Sequence, residues 1–373
     1  MKLTFQKTAL LNGINIVLKA VPSKTTMPIL ECILIDASTD EIKLTANDME
    51  LGIETKVEGD ILEKGKIALD AKLFSEIARK LSDSDSLVTI ESDEKFNTVI
   101  TCENSVFKIQ GKDGEEFSYL PYIERNKNIT LSQFSLKEVI RQTIFSISAN
   151  DSNKMMTGEL FEINGDTLRV VSLDGHRMAI RKIVLKDEYE STKVIVPGKT
   201  LNEISKILTG DNEKEVQIFF GANHILFEFD DTIVVSRLIE GEYFRIDQML
   251  SSDYETKLSI NKKEFLDCID RATLLVREGD KKPIIIHITD NNMELKIDSA
   301  MGSMNEDIDI EKEGKDILIG FNPKFLIDAL KVIDDETIDI YLVNPKAPCF
   351  IRDEEETYTY LILPVNINQN QAR

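Results

Sequence analysis

The sequence contains no tryptophan, three histidines and four cysteines among its 373 residues. Three histidines leave little material for a histidine-based metal site. The cysteines are far apart and form no Cys-x-x-Cys pair, which argues against a disulfide framework or a zinc site. We therefore predict four buried free thiols, at Cys32, Cys102, Cys268 and Cys349.

Long apolar runs are also missing. No stretch of about 18 consecutive apolar residues occurs, so no membrane span or membrane partner is expected. Residues 1–5 lack the apolar core of a signal peptide, so we expect a cytoplasmic protein. An apolar content of 42% is ordinary for a folded protein, and the length predicts two or three domains.

The net charge of −21 argues against loose binding of nucleic acid over the whole surface. It leaves room for a local basic track. The distribution of the cations therefore matters more than their number.

Motifs for catalysis and nucleotide binding are absent. Gly198-Lys199-Thr200 looks like the end of a phosphate-binding loop, but such a loop needs a glycine where this chain has Lys193. The pair Asp83 and Asp85 and the acidic run at residues 353–356 lack calcium-loop spacing, and we interpret both as solvated turns. The sequence thus predicts no enzymatic activity, no cofactor and no bound metal.

One helical segment recurs three times, at intervals of 127 and 125 residues. Three apolar positions coincide in the copies, with the i, i+3, i+7 spacing of one helix face. These positions are Phe74/Leu201/Leu326, Ile77/Ile204/Ala329 and Leu81/Leu208/Ile333.

A second amphipathic helix recurs at intervals of 129 and 126 residues. Two markers with nearly the same period indicate a threefold internal repeat. The residues equated in this second set are Phe5/Phe134/Ile260, Leu10/Val139/Phe265, Leu11/Ile140/Leu266 and Ile14/Thr143/Ile269.

Short β-rich runs lie between the helices, and most of them alternate apolar with polar residues. Turn residues punctuate them at Asn164-Gly165-Asp166 and Asp290-Asn291-Asn292. The pattern predicts an α+β fold of three tandem domains, each with two helices packed on antiparallel sheets. Polar stretches place these domains at residues 1–126, 127–253 and 254–373. The predicted strands include residues 42–46, 88–90, 99–101, 168–171, 216–220 and 295–297.

The helical segment that recurs at intervals of 127 and 125 residues is the second helix of each copy. In every copy it carries two cations seven positions apart, on a face away from its apolar stripe. Seven residues are about two turns, so each pair shares one face, about 10 Å apart. Around a common axis, such faces would contact DNA phosphates without reading bases. The alternative interpretation is a solvated lysine-rich face that serves solubility. The pairs are Lys72/Arg79, Lys199/Lys206 and Lys324/Lys331.

Over nearly its full length the chain resembles the bacterial DNA polymerase III β subunits, the β sliding clamps. The resemblance implies three DNA-clamp domains, which form half of a six-domain ring. A head-to-tail homodimer would close this ring around double-stranded DNA, without enzymatic activity. The matching motifs are Met27-Pro28-Ile29-Leu30, Leu173-Asp174-Gly175-His176-Arg177-Met178-Ala179, Leu238-Ile239-Glu240-Gly241-Glu242-Tyr243, Ile319-Gly320-Phe321-Asn322 and Tyr360-Leu361-Ile362-Leu363-Pro364-Val365.

The resemblance also implies contact residues. Lys24, Asn150 and Lys199 match family positions that touch DNA. The dimer seam is expected near Phe107 on one side and near Leu274 and Leu275 on the other. The alternative interpretation of the three seam residues is ordinary core.

A groove for short peptides is implied as well, with the DNA polymerase III catalytic subunit, the clamp loader and other clamp-binding-motif proteins as partners. His176 and Arg177 are expected to offer polar contacts at its rim. Phe244 stands where relatives usually have proline, and Gln248 where they have a basic residue. The implied groove residues are Met156, Leu173, Gly175, His176, Arg177, Met178, Phe244, Gln248, Met249, Pro348, Leu361, Leu363, Pro364 and Val365.

Other interpretations remain for these features. Without the resemblance, His176 would be interpreted as a structural histidine and residues 361–365 as a core strand. A nuclease or transferase subunit would need a convergent carboxylate or nucleophile cluster, which the sequence does not offer. A repeat scaffold unrelated to DNA would leave the aligned cation pairs unexplained.

Overall fold

A computed structural model describes residues 1–81, 86–150, 152–277 and 282–367. The chain packs as two compact units. The first contains residues 1–136 and 203–238, and the second contains residues 137–202 and 239 onward. Each unit holds two antiparallel sheets.

The described helices bear out the prediction of two helices per repeat. They are α1 Lys7–Val17, α2 Ala71–Lys80, α3 Gln133–Thr143, α4 Gly198–Ile207, α5 Lys262–Thr273 and α6 Pro323–Leu330.

The strands also follow the repeat, and all six predicted strand segments fall within or overlap observed strands. The first repeat contains β1 Lys2–Gln6, β2 Cys32–Asp36, β3 Lys43–Asn47, β4 Leu51–Lys56, β5 Asp60–Glu63, β6 Lys66–Asp70, β7 Leu87–Ser92, β8 Asn97–Cys102, β9 Ser105–Gln110 and β10 Lys112–Asp113. The second contains β11 Asn128–Ser132, β12 Gly158–Leu173, β13 Arg177–Pro197, β14 Glu215–Phe220, β15 His224–Phe229 and β16 Thr232–Arg237. The third contains β17 Thr256–Asn261, β18 Ile284–Thr289, β19 Asn292–Ser299, β20 Gly302–Asp309, β21 Glu311–Gly314, β22 Ile317–Phe321, β23 Thr337–Leu342, β24 Cys349–Arg352 and β25 Tyr358–Ile362.

In the first unit, one sheet has the strand order β5-β1-β7-β8-β9 and the other β10-β6-β2-β3-β4-β16-β15-β14-β11. The joint in the larger sheet is the antiparallel pair β4 and β16, in which Gly52 lies opposite Val235. Strands from the first and second repeats therefore belong to one continuous sheet.

The second unit is joined in the same way. Its sheets have the orders β12-β13-β25-β24-β23-β17-β21 and β20-β19-β18-β22. β13 pairs antiparallel with β25, and Met178 lies opposite Leu361. Strands of the second and third repeats thus share a sheet through an equivalent pairing.

The apolar face predicted for α2, α4 and α6 is confirmed, because all nine equated positions are buried. Burying a large apolar side chain contributes about 1.5–3 kcal/mol, so this face is a main anchor of each helix. Side chains fix where two of the helices begin. Asp70 accepts a hydrogen bond from the Leu73 N–H at 2.8 Å, and Asn322 from the Lys324 N–H at 3.1 Å.

The predicted alignment of the other helix set is wrong by three residues in the second repeat. α3 begins 126 positions after α1, and α5 begins 129 positions after α3. Leu136 therefore takes the buried position of Leu10, while Phe134, which was equated with Phe5, is 43% exposed. Leu131 on β11 is buried in its place. A helix face recurs every three or four residues, so a pattern shifted by three still fits.

One of the two predicted turns is confirmed. The chain reverses at Asp290, with φ of +46°, between β18 and β19. At Gly165 it does not reverse, because this residue stays paired with Tyr189 inside the long β12–β13 hairpin. Gly165 has φ of +62° and lies between two register shifts, so the glycine serves a bulge rather than a turn.

The four cysteines are buried and free, as predicted. Among the described helices, none is long and apolar enough to cross a membrane.

Candidate functional site

A cleft of about 370 Å³ opens on the second unit, where three neighbouring strands end. All of its lining residues belong to the groove set implied by the family resemblance. They are Met156, Leu173, Gly175, His176, Arg177, Met178, Phe244, Met249, Pro348, Leu361 and Leu363.

The floor of the cleft is built by strand register. Met178 on β13 lies opposite Leu173 on β12 and opposite Leu361 on β25. Directly opposed residues of antiparallel strands point to the same face of the sheet. The three buried side chains therefore form one continuous apolar floor.

The walls are apolar but more exposed. Phe244 packs edge-on against Tyr243, with ring centroids 5.6 Å apart. Met249 is 43% exposed and Leu363 is 37% exposed, so both offer apolar surface to a ligand. Unbranched methionine side chains such as those of Met156 and Met249 adapt to different apolar partners.

The loop between β12 and β13 is fixed by one aspartate. Oδ1 of Asp174 accepts hydrogen bonds from the N–H groups of His176 at 2.9 Å and Arg177 at 3.1 Å. Gly175 sits at its tip with φ of +87°, a conformation that favours glycine. The carbonyl of His176 accepts a hydrogen bond from the Leu363 N–H at 2.8 Å, which ties the loop to the chain after β25.

Arg177 corrects the expectation of a polar contact at the rim. Its side chain is only 8% exposed, and its guanidinium donates to Asp174 at 3.0 Å, Asp328 at 2.6 Å and the Phe145 carbonyl at 2.6 Å. The guanidinium carbon also lies 4.7 Å from the Phe325 ring centroid. Arg177 therefore positions the cleft from within, while His176 is exposed and packs 6.0 Å from Phe325.

Three residues of the implied groove do not line the cleft. Gln248 is exposed at the end of a short 3-10 helix that spans residues 246–248. Pro364 is half-buried beyond the cleft lining. Val365 donates its N–H to the Gly320 carbonyl at 2.8 Å, which holds this residue against β22.

A buried acid, which the sequence did not single out, lies near the cleft. Glu159 on β12 is fully buried, and Oε2 accepts a hydrogen bond from the Thr143 hydroxyl at 3.2 Å, while Oε1 has no partner. Burial raises the pKa of Glu159 well above its usual range, against the smaller opposing effect of that hydrogen bond. Burial and the nearby Glu159 also raise the pKa of Tyr243, the neighbour of Phe244.

Gly198 has a packing role that accounts for the apparent phosphate-loop motif. A Cβ at this position would lie 2.4 Å from Ile147 Cδ1 and 2.9 Å from the Thr157 carbonyl oxygen. The glycine therefore allows α4 to begin in close contact with its neighbours.

The described residues contain no group of three or more histidine, cysteine or acidic side chains placed to hold a metal ion. Asp83 and Asp85 lie outside the described residues. The acidic run at 353–356 is a turn, in which Asp353 accepts hydrogen bonds from the Thr357 hydroxyl and the Tyr358 N–H. Burial raises the pKa of the Cys349 thiol to about 12, which keeps it protonated at neutral pH.

The cation pairs start at equivalent places. Lys72, Lys199 and Lys324 are each exposed at the second residue of α2, α4 and α6. In α2 the second cation, Arg79, is exposed and donates to the Ser75 hydroxyl at 2.9 Å.

The remaining cations differ in their surroundings. Lys206 forms an ion pair with Glu203 at 2.8 Å, whereas Lys331 is the exposed C-cap of α6. Of the other residues expected to touch DNA, Lys24 and Asn150 are both exposed in loops.

The residues expected at a dimer seam lie at sheet edges or helix ends. Phe107 is half-buried on β9, the outermost strand of its sheet. Leu274 follows α5 and is 74% exposed, so the core interpretation does not hold for it. Leu275 is half-buried and packs against the core of the third repeat.

Comparison with protein families matches the chain along nearly all of its length. The N-terminal, central and C-terminal domains of the DNA polymerase III beta subunit match residues 1–121, 130–244 and 247–366. The chain belongs to the DNA polymerase III beta subunit family, the β sliding clamps.

Individual relatives agree. The beta sliding clamp of Staphylococcus aureus is 36% identical over 376 residues, which cover 98% of this chain and 99% of that protein. A solved chain from Eubacterium rectale is 69% identical with a TM-score of 0.96, covering 99% of this chain and 100% of that one. The DNA polymerase sliding clamp of Bacillus subtilis is 35% identical with a TM-score of 0.95, at the same coverage.

Family membership confirms the predicted fold of three tandem clamp domains. It also gives this β clamp a non-catalytic role, because its relatives are sliding clamps rather than enzymes.

Replacing the buried acid tests its effect on the clamp. The raised pKa of Glu159 means that the folded state holds its proton while the unfolded state releases it. The contribution of protonated Glu159 to the free energy of unfolding is therefore fully present below the pKa of this group in the unfolded state. It is lost as the pH rises through the pKa of Glu159 in the folded state. We expect the free energy of unfolding of Glu159→Gln, relative to that of the unmodified chain, to increase by about 1–3 kcal/mol as the pH rises from about 5 to about 9.

Urea unfolding at several pH values measures this difference. The control is Glu162→Gln. Glu162 lies on the same strand and forms ion pairs with Arg169 and Lys193, so its replacement should not raise the free energy of unfolding with pH. A stability difference between Glu159→Gln and the unmodified chain that stays constant with pH would contradict the expectation.

Proposed function

We propose that two copies of this chain close head to tail into a ring around double-stranded DNA, and that the apolar cleft tethers replication and repair proteins to it. The observation that carries the tethering is the cleft itself, an apolar floor with adaptable walls on a fixed scaffold. The proposed domains are residues 1–126, 127–253 and 254–373. The four free thiols suit the reducing cytoplasm, where we place the protein.

DNA is held by charge rather than by base recognition in this proposal. The exposed cations of α2, α4 and α6 would face the duplex, together with Lys24 and Asn150. Lysine and arginine contacts to phosphates are independent of sequence and weaken with salt. The net charge of −21 would disfavour DNA on the other surfaces.

Ring closure would use two unlike surfaces, as a head-to-tail contact requires. On one side β9 ends its sheet and exposes 56% of Val106 beside Phe107. On the other side β20 ends its sheet, and its Gly302 lies close to Leu275, the chain neighbour of the exposed Leu274. Strand edges present backbone groups that pair readily with another chain. The cation Lys108 on β9 would complement the acidic residues of β20.

The proposed partners of the cleft are peptides from the DNA polymerase III catalytic subunit, the clamp loader and other clamp-binding-motif proteins. Apolar side chains of such a peptide would pack on Leu173, Met178 and Leu361. Because Phe244 and Met249 extend over this floor, they would shape which side chains fit.

Neutralising three cations tests the DNA contact. We expect Lys72→Gln, Lys199→Gln and Lys324→Gln together to weaken duplex binding and to flatten its salt dependence. Each lost phosphate contact makes the negative slope of log K against log salt concentration shallower by about 0.9. Fluorescence anisotropy with a short duplex at several salt concentrations measures both effects.

The control replaces Lys95, Lys186 and Lys346, which are exposed elsewhere in the three repeats. This control should retain the slope of the unmodified chain. Equal losses in both triple variants would contradict a specific role for the helix cations.

Sedimentation tests the ring. The unmodified chain should sediment as a dimer at about twice 42.3 kDa. Leu274→Asp should shift it toward the monomer, because burying an unpaired charge at the seam is costly. Val184→Asp is the matched control, since Val184 is 78% exposed on β13, which belongs to neither of the two sheets whose edges form the proposed seam. A monomeric unmodified chain at micromolar concentration would rule out the ring.

A charge in the cleft tests tethering. Leu363→Glu should lower the affinity of the chain for a synthetic clamp-binding peptide of the polymerase catalytic subunit by tenfold or more. This loss corresponds to about 1.4 kcal/mol of binding free energy and arises because apolar contact is lost. Leu62→Glu, at an apolar residue 59% exposed on β5, should leave the affinity unchanged. Isothermal titration measures both, and an unaltered affinity of Leu363→Glu would remove the cleft from the proposal.

A further inference from the structure

The first unit carries a second cleft, of about 310 Å³. It lies where β4 meets β16, and the cleft described above lies where β13 meets β25. We call them the first-joint cleft and the second-joint cleft. The repeat therefore produces a similar cavity at each of its two internal joints.

Their loops have the same backbone geometry. Asp48 and Asp174 are 126 positions apart. Each accepts hydrogen bonds at Oδ1 from the backbone N–H groups two and three positions later. The next residue has positive φ in both loops, +75° at Met49 and +87° at Gly175. A non-glycine residue in this conformation shows that the loop shape is imposed by its surroundings.

The connection from each loop to the neighbouring strand is also the same. The Arg237 N–H donates to the Glu50 carbonyl at 2.8 Å, as the Leu363 N–H donates to the His176 carbonyl at 2.8 Å. The two clefts are thus one backbone scaffold with two sets of side chains.

The side chains give the first-joint cleft an apolar floor. Val235 is buried and Leu120 packs beside it in a small apolar cluster. A Cβ at Gly52 would lie 2.1 Å from Leu120 Cδ2, so Leu120 covers the place that a side chain at position 52 would need. The floor is therefore apolar but smaller than that of the second-joint cleft.

One wall is an exposed aromatic ring that is held in place. Tyr119 is 59% exposed, yet its hydroxyl accepts a hydrogen bond from Lys66 at 2.6 Å. The Lys66 ammonium also lies 5.2 Å from the ring centroid and forms an ion pair with Glu115 at 3.2 Å. An aromatic surface that is already ordered costs little entropy when a ligand binds.

The mouth of the first-joint cleft is charged where the second-joint cleft is mainly apolar. Glu50 and Arg237 are exposed there and line the cavity with His224. Charges of both signs at one mouth favour a ligand with complementary charges of both signs. By register, Glu50, His224 and Arg237 take the places of His176, Pro348 and Leu363.

We propose that the first-joint cleft binds an extended peptide of a partner protein. A large apolar side chain would sit on Val235 and Leu120, with a basic residue facing Glu50 and an acidic residue facing Arg237. The choice of a peptide as ligand rests on the function proposed for the second-joint cleft. The charged mouth makes the two clefts select different peptides, so one chain would hold two partners at once.

Tyr122 provides a place for a reporter, because it is 89% exposed and next to the cleft residue Pro121. The native cysteines are all buried, so Tyr122→Cys directs an environment-sensitive dye to this site. The probes are synthetic ten-residue peptides with a central phenylalanine flanked by lysine and glutamate in either order. Matched peptides carry alanine at the centre.

We expect saturable binding of one flank order, at least tenfold weaker with central alanine. The double variant Glu50→Lys with Arg237→Glu should transfer the preference to the reversed order. Both side chains are exposed, so the exchange leaves the buried core unchanged. Absence of saturation for every peptide up to millimolar concentration, or an unchanged order preference in the double variant, would overturn the proposal.

A second measurement separates this proposal from the function of the second-joint cleft. Isothermal titration of the polymerase peptide reports on that cleft, and Leu363→Glu disables it. Binding reported at Tyr122→Cys should survive Leu363→Glu, and its loss would mean that the peptide occupies the second-joint cleft. If the polymerase peptide shows no binding to the unmodified chain by titration while the charged peptide binds at Tyr122→Cys, the tethering proposal falls and the first-joint site stands.

Discussion

Antiparallel pairing between strands of neighbouring repeats is the constraint that organises both units. β4 pairs with β16 in the first unit, and β13 pairs with β25 in the second. Because residues opposite each other in such a pair share a face, each pairing fixes which side chains meet at the joint. A slip by one residue would turn Met178 and Leu361 to the other face and remove the cleft floor. The clefts are therefore consequences of how the repeats are joined, and not additions to a finished fold.

Strand register does not by itself fix the loop between β12 and β13 at the second-joint cleft. The buried charge of Arg177 holds this loop in place. Arg177 satisfies its guanidinium with Asp174, Asp328 and a backbone carbonyl, while aromatic rings enclose it. Removing one partner would leave a buried charge unpaired, which costs about 3–5 kcal/mol. Arg177, which was expected with His176 to offer a polar contact at the rim, thus holds the loop in place. His176, its neighbour, is left free to face a ligand.

The sequence predicts the fold well where a pattern is local. The buried face of α2, α4 and α6 follows from apolar spacing within each helix. The same periodicity misplaces the other helix set, since a shift by three residues still satisfies it. The lining of the second-joint cleft is predicted only through the family resemblance. The role of Arg177 escapes both approaches, because Asp328 lies 151 positions away and no local pattern links the two.

The two joints separate what the repeat preserves from what it varies. Backbone hydrogen bonds and loop dihedral angles are kept, since they follow from the strand pairing that each joint needs. The side chains that point into the cavities are not needed for that pairing, and they differ in size and charge. Gly52 in place of Met178 lets Leu120 close part of the floor, while Glu50 and Arg237 charge the mouth. Selectivity can therefore change at one joint without disturbing the sheet that both the fold and the other cleft require.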